Sequence, residues 1–166
     1  FDYDYGGVFL VDTPQTPTQH DSSYGVGFLA GRGNLSIIFP TGANDPGNQP
    51  THNTLFVYNK TGSVTSTIDP MGHTKSFGYT DSFSDAVNRN TFAYPTTLTD
   101  EDGFSSYLQY NFDFGAAPRT QSPAPAGQSQ GAIQTMTYDG LGQLERITTT
   151  NNGAYTRYIH GSYYVQ

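Results

Sequence analysis

Tyr58-Asn59-x-x-Gly62-Ser63-Val64 and Tyr138-Asp139-x-x-Gly142-Gln143-Leu144 are one pattern written twice, each matched position 80 residues from its counterpart. Recurrence of this kind constrains a fold strongly, because each unit must be a small supersecondary piece that buries itself against its neighbours. Asp69-x-x-Gly72 with Tyr79 matches Asp100-x-x-Gly103 with Tyr110 at an offset of 31. Asn151-Asn152-Gly153 holds the turn position of the last unit. Gly33-Asn34-Leu35 resembles a worn copy of Gly62-Ser63-Val64, and Tyr3-Asp4 reads as the opening of an earlier unit. The tyrosines Tyr58, Tyr79, Tyr110, Tyr138 and Tyr158 step by 21, 31, 28 and 20 residues, the two long steps containing insertions.

Each unit reads as strand, turn, strand. Leu55 and Val57 alternate with Phe56 and Tyr58, the two-residue period of a strand. Asn59 to Gly62 is a turn whose glycine can take a positive φ. Val64 to Ile68 forms the next strand. Asp69-Pro70-Met71-Gly72 is a second turn, with Pro presetting φ and Gly closing. His73 to Tyr79 follows as a third strand. A lone hairpin is marginal in water, so such units persist only by pairing with others.

Composition agrees. Of 166 residues, 34% are hydrophobic and 14% aromatic, with 13 Tyr, 11 Phe, 19 Gly and 10 Pro. Such a chain is turn-rich and helix-poor, and its core must be built from rings rather than aliphatic layers. The best helical stretch is Ser82 to Arg89, one or two turns long. The expectation is therefore an all-β fold. It is a single antiparallel region over residues 1–166, with units at roughly 24–39, 54–80, 92–114 and 133–160. Pro/Gly/polar insertions interrupt it at 11–23, 40–53 and 115–132; loops of this length are usually functional or disordered.

The combination of Tyr-Asp-x-x-Gly, a Leu/Val strand, Asp-Pro-x-Gly-His-Thr and an aromatic strand resembles the RHS/YD-repeat family. Tyr58 to Tyr79 and Tyr138 to Tyr158 carry the resemblance, and Tyr94 to Tyr110 carries a looser copy. The resemblance implies a β-ribbon that spirals into a hollow shell in full-length members. Bacterial relatives enclose a toxic domain; animal relatives, the teneurins, display a similar shell on the cell surface. A closed shell takes many more repeats than fit here, and the family's self-cleaving terminal core has no counterpart in this sequence. The expected product is thus a segment of shell wall or an open β-ribbon.

Net charge is −7, from 14 acidic and 7 basic residues. Nucleic acid, whose phosphates demand a basic footprint, is not an expected partner, nor is an anionic membrane surface. No apolar run approaches the roughly 18 residues of a membrane span. There is no cysteine, hence no disulfide, thiolate or Cys-ligated zinc. The low-charge, Thr/Ser/Gly/Tyr-rich composition suits a secreted or cell-surface bacterial protein. Phe1 at the start points to a processed form or a fragment.

Catalysis is not expected. Ser22, His20 and Asp21, or Ser76 and His73, supply the residue types of a hydrolytic triad, but no nucleophile elbow accompanies them. The acidic cluster Asp100-Glu101-Asp102-Gly103 reads as a solvated turn. As a calcium loop it would have Asn111 where a bidentate Glu belongs, and as a glycosidase pair it would need two acids flanking a cleft. His20, His52, His73 and His160 lack metal-ligand spacing. Neither metal nor cofactor is expected. Asn34-Leu35-Ser36 and Asn59-Lys60-Thr61 match the glycosylation sequon.

The residues expected to matter are therefore structural: Tyr58, Gly62, Asp69, Gly72, Tyr79, Asp100, Gly103, Tyr110, Tyr138, Asp139, Gly142, Gly153 and Tyr158. Tyrosines at fixed repeat positions suit cross-strand pairs, each contributing about 0.2–1 kcal/mol relative to alanine. Tyr155, Tyr158, Tyr163 and Tyr164 are the candidate glycan contacts. Expected partners are flanking repeats, other copies of the chain joined through open strand edges near Phe1–Leu10 and Tyr155–Gln166, or a glycan.

Overall fold

The computed structural model describes residues 1–4, 9–28, 31–39, 53–150 and 152–160. Among them the fold is all-β, with twelve strands and no α-helix. The strands are β1 (Asp2–Tyr3), β2 (Leu10–Val11), β3 (Leu35–Ile38), β4 (Thr54–Asn59), β5 (Val64–Ile68), β6 (Thr74–Gly78), β7 (Thr97–Thr99), β8 (Ser105–Gln109), β9 (Arg119–Gln121), β10 (Ile133–Tyr138), β11 (Leu144–Thr149) and β12 (Tyr155–Arg157). His52, Tyr163, Tyr164 and nearly all of the 40–53 insertion lie outside the described residues.

The chain divides into two compact units: Phe1–Asp81 with Asn88–Phe104, and Ser82–Val87 with Ser105–Gln166. In the first, the strand order is β1-β3-β4-β5-β6-β7. In the second it is β8-β9-β10-β11-β12. Among the described residues neither run of strands closes on itself, and these ladders are antiparallel meanders whose neighbours in sequence are neighbours in space.

One ladder departs from the expected antiparallel pattern. β2 runs parallel to β4, with Leu10 opposite Tyr58 and Val11 opposite Asn59. β3 pairs with β4 only at Leu55 and Thr54, while β5 takes the other edge from Leu55 to Tyr58. The far end of β4 is thus left free on the β3 side, and β2 occupies it.

The core is thin. In the first unit Ile37 and Phe92 are buried, at 6% and 3% exposure, with Ser36, Asn59 and Thr96. In the second, Phe83 is 4% exposed and meets Phe112 edge to face at 5.3 Å. Most strand residues are half-buried rather than alternating in and out. With so little apolar area removed from water, backbone ladders and capped turns carry an unusual share of the stability.

The helix expected over Ser82–Arg89 does not form. Phe83 bridges Tyr110 in parallel, with Ser84 N–H donating to the Tyr110 carbonyl and Tyr110 N–H donating to that of Ser82, both at 2.8 Å. Those backbone groups are therefore committed to the sheet. Ala86 sits at φ 60°, which no helical turn accommodates. In the first unit, Asp81 gathers the following chain by accepting from the N–H groups of Arg89, Thr91 and Phe92 and from the Thr91 hydroxyl. Burial pushes the Asp81 pKa up, but these donors outweigh it and hold the carboxyl below its ordinary value.

Candidate functional site

The repeat corresponds to one turn geometry built four times. At Asn59, Asp69, Asp100 and Asp139 the backbone N–H donates to the carbonyl four residues on, at 2.9–3.1 Å, and the N–H of the glycine three residues on returns a bond at 3.0–3.1 Å. The side-chain Oδ1 of each then accepts from the N–H groups two and four residues ahead, at 2.8–3.1 Å. The closing residues Gly62, Gly72, Gly103 and Gly142 have φ between 78° and 87°. This is a three-residue hairpin loop with a glycine bulge, in which Asp or Asn replaces backbone partners that the bend takes away. A slightly longer form closes at Asn111–Ala116 and at Thr149–Ala154, with Gly115 and Gly153 in the positive-φ place.

A fifth copy is split. Asp4 N–H donates to the Asn34 carbonyl at 2.9 Å, while the Asp4 carboxylate accepts from Gly33 and Asn34 N–H at 2.7 and 3.2 Å. Tyr3 faces Leu35 as Tyr58 faces Val64, each beside a register shift. Tyr3-Asp4 and Gly33-Asn34-Leu35 are therefore the two halves of one turn, with residues 5–32 standing where Lys60 and Thr61 stand in the intact copy.

The tyrosines preceding the caps share a role. Tyr58 donates its hydroxyl to the Leu35 carbonyl at 3.0 Å, and Tyr138 donates to that of Ala117 at 2.9 Å. Burial raises the phenol pKa at Tyr58, Tyr79 and Tyr138, helped at Tyr58 by the nearby charge of Asp4. Tyr110 is tied through its backbone to Ser82 and Ser84.

The excursion between the halves of the split turn forms a cleft of about 730 Å³ against the next turn, lined by His20, Tyr24, Phe28, Arg32 and Lys60 among others. Its cations are occupied within the protein. Arg32 donates to the carbonyls of Lys60 (2.8 Å), Gly25 (2.9 Å) and Tyr24. His20 Nε2 contacts the Lys60 carbonyl at 3.1 Å, and Lys60 Nζ pairs with Asp12 at 2.6 Å. The Lys60 hydrogen bond, then that from Thr13 N–H, lowers the Asp12 pKa. The arrangement is a clamp that fastens the excursion to the Asn59 turn.

The residue types of a triad are directed elsewhere. Asp21 Oδ1 accepts from Ser23 N–H, capping a short 3-10 turn at Ser22–Tyr24. His73 Nδ1 lies 3.0 Å from Asp69, the cap of its own turn. His160 Nε2 reaches the Leu144 carbonyl at 2.7 Å. In the acidic cluster, Asp100 caps its turn and Glu101 pairs with Lys75 at 3.3 Å. Asn111 caps the turn that follows. Among the described residues no three potential metal ligands gather. Of the sequons, Asn59 is only 3% exposed and spends its side chain on Thr61 and Ser63.

At the end of the second unit, Tyr155 is 61% exposed and Tyr158 41%. Tyr158 N–H donates to the Glu145 carbonyl at 2.8 Å. The Tyr155 ring lies 4.4 Å from the Arg146 guanidinium, and Arg146 in turn stands directly opposite Arg157 across β11 and β12. Reading the repeat did not isolate these arginines. Counting outward from the Asn151–Gly153 turn along both strands would have placed them opposite one another.

No family model matches the chain, and no curated protein matches it.

Proposed function

We propose that this chain is a non-catalytic structural β-repeat protein of the RHS/YD-repeat type, part of the wall of a secreted or cell-surface assembly. The observation that carries this reading is the recurrence of one Asx-capped, glycine-closed turn, intact at Asn59, Asp69, Asp100 and Asp139 and split at Asp4 and Gly33. The recurrent element of the molecule is thus a device for turning a strand, with the chemistry of its polar side chains spent on backbone. Its partners are flanking repeats or other copies. Among the described residues β1 is hydrogen-bonded on one side by β3, and β12 on one side by β11, so each unit ends in a strand able to accept another. Negative-stain electron microscopy of the native material tests this: closed hollow particles or fibres of uniform width support it, and dispersed small particles overturn it.

A second reading, a carbohydrate-binding surface, is favoured by Tyr155. An aromatic ring at 61% exposure on a terminal strand is available to stack on a sugar. Tyr155 and Tyr158 would be the contacts, and a change in tyrosine fluorescence on adding glycans tests it.

A further inference from the structure

The second unit's residues, 82–87 and 105–166, contain three basic side chains, Arg119, Arg146 and Arg157. All three belong to one face of its sheet. Thr137 is opposite Arg146, which is opposite Arg157, forming one cross-strand row. Arg119 is opposite Thr135, and Thr135 shares a face with Thr137 by alternation. Tyr155, two residues from Arg157, joins the same face, and its ring makes a cation–π contact with Arg146.

Two like charges directly opposed on neighbouring strands repel one another. With only 7 basic residues in 166, abundance does not force such a pair. Neither guanidinium is relieved by an ion pair or hydrogen bond among the described residues. This contrasts with Arg32, whose two terminal guanidinium nitrogens donate to carbonyls. The cation–π contact with Tyr155, 4.4 Å from the ring centroid, tethers the Arg146 guanidinium while leaving its N–H groups free of hydrogen bonds among the described residues. Thr137, Arg146, Arg157 and Glu145 surround a hollow of about 350 Å³.

We propose that this hollow binds an acidic sugar, a uronate residue within a polysaccharide. The carboxylate would take the forked N–H groups of Arg146 and Arg157. Tyr155 would meet the apolar face of the sugar ring, while Thr137 and Glu145 would hydrogen-bond its hydroxyls. Glu145 decides between anions: a carboxylate on the rim repels a densely charged polyanion but accepts from neutral hydroxyls. A net charge of −7 works in the same direction, favouring one charge per sugar over a phosphate backbone. The inference rests on the carbohydrate reading above and adds the ligand's charge.

Titration calorimetry with oligomers of galacturonic acid, with dextran and with sulfated dextran tests it. The galacturonate oligomer is expected to bind, more weakly as salt rises. R146Q and R157Q are each expected to weaken it by about tenfold or more, with far-UV circular dichroism unchanged. R146K, which keeps the charge but loses the fork, should fall between. Unchanged affinity in the R146Q/R157Q double variant overturns the proposal, as does a preference for sulfated dextran. Dextran bound without dependence on the arginines overturns it while leaving the carbohydrate reading standing; binding of no glycan defeats both.

Discussion

Asp4 N–H donates to the carbonyl of Asn34 at 2.9 Å, across thirty residues of chain, where Asn59 makes the same bond to Ser63 only four residues away. The Asp4 carboxylate accepts from Asn34 N–H as the Asn59 amide does from Ser63 N–H. It also takes Gly33 N–H, whereas Gly62 N–H goes to the Asn59 carbonyl. The cap, and not the length of loop between its ends, defines the motif. Asp4→Ala and Asn59→Ala should therefore cost similar amounts, about 1–3 kcal/mol each, from donors left unsatisfied. Urea unfolding of the two variants checks this; a negligible effect at Asp4 would mean that the split turn is an accident of packing.

The glycine closing each turn makes a second prediction. Gly142 has φ 78°, and Gly140, two residues earlier in the same loop, does not have a positive φ and has open space around it. Gly142→Ala should destabilise by roughly 1–2 kcal/mol, because a Cβ disfavours left-handed backbone. Gly140→Ala should be close to neutral. Thermal unfolding of the pair separates conformational strain from simple loss of a small residue.

Alkaline stability should depend on the half-buried phenols. Tyr58, Tyr79 and Tyr138 have pKa values raised above the ordinary 10.0. In the unfolded chain these groups ionise first, so the stability they contribute is complete below that value and is lost as pH rises through the folded pKa. A Tyr58→Phe/Tyr138→Phe variant should lose about 0.5–1.5 kcal/mol per hydroxyl at neutral pH. It should also show a shallower fall in stability above about pH 10. Unfolding midpoints measured from pH 7 upward test both parts.

Relieving the opposed arginines should stabilise the fold. Arg157→Thr removes one charge from a directly facing pair and substitutes a strand-compatible side chain, for a gain of about 0.2–1 kcal/mol at low salt. The gain should shrink as salt is added. A loss of stability instead would show that the facing arginines are not a net liability to the fold.

Much of the architecture is legible in the sequence because its signals are local. Asp-x-x-Gly and Asn-x-x-Gly encode cap and closing glycine within five residues, and the alternation in Leu55–Tyr58 encodes the strand leading in. What was not legible depends on distance. Nothing near Tyr3-Asp4 says that its glycine is Gly33, because the pairing forms only once β1 meets β3. The parallel seat of β2 on β4 has the same character, since it depends on where β3 stops. Over Ser82–Arg89, local helical preference yields to the Phe83–Tyr110 bridge, a tertiary override of a weak propensity. The arginine pair was missed because register, rather than residue type, brings Arg146 and Arg157 together.

The split turn has a practical consequence. Because Asp4 and Asn34 close as Asn59 and Ser63 do, with 29 residues between them in place of three, the positions after each cap are grafting points. A foreign segment placed between Asp139 and Gly142 would be presented at a strand end while the sheet kept its register. The excursion at 9–28, which itself lends β2 to the sheet, shows that a long segment after the cap leaves the cap intact.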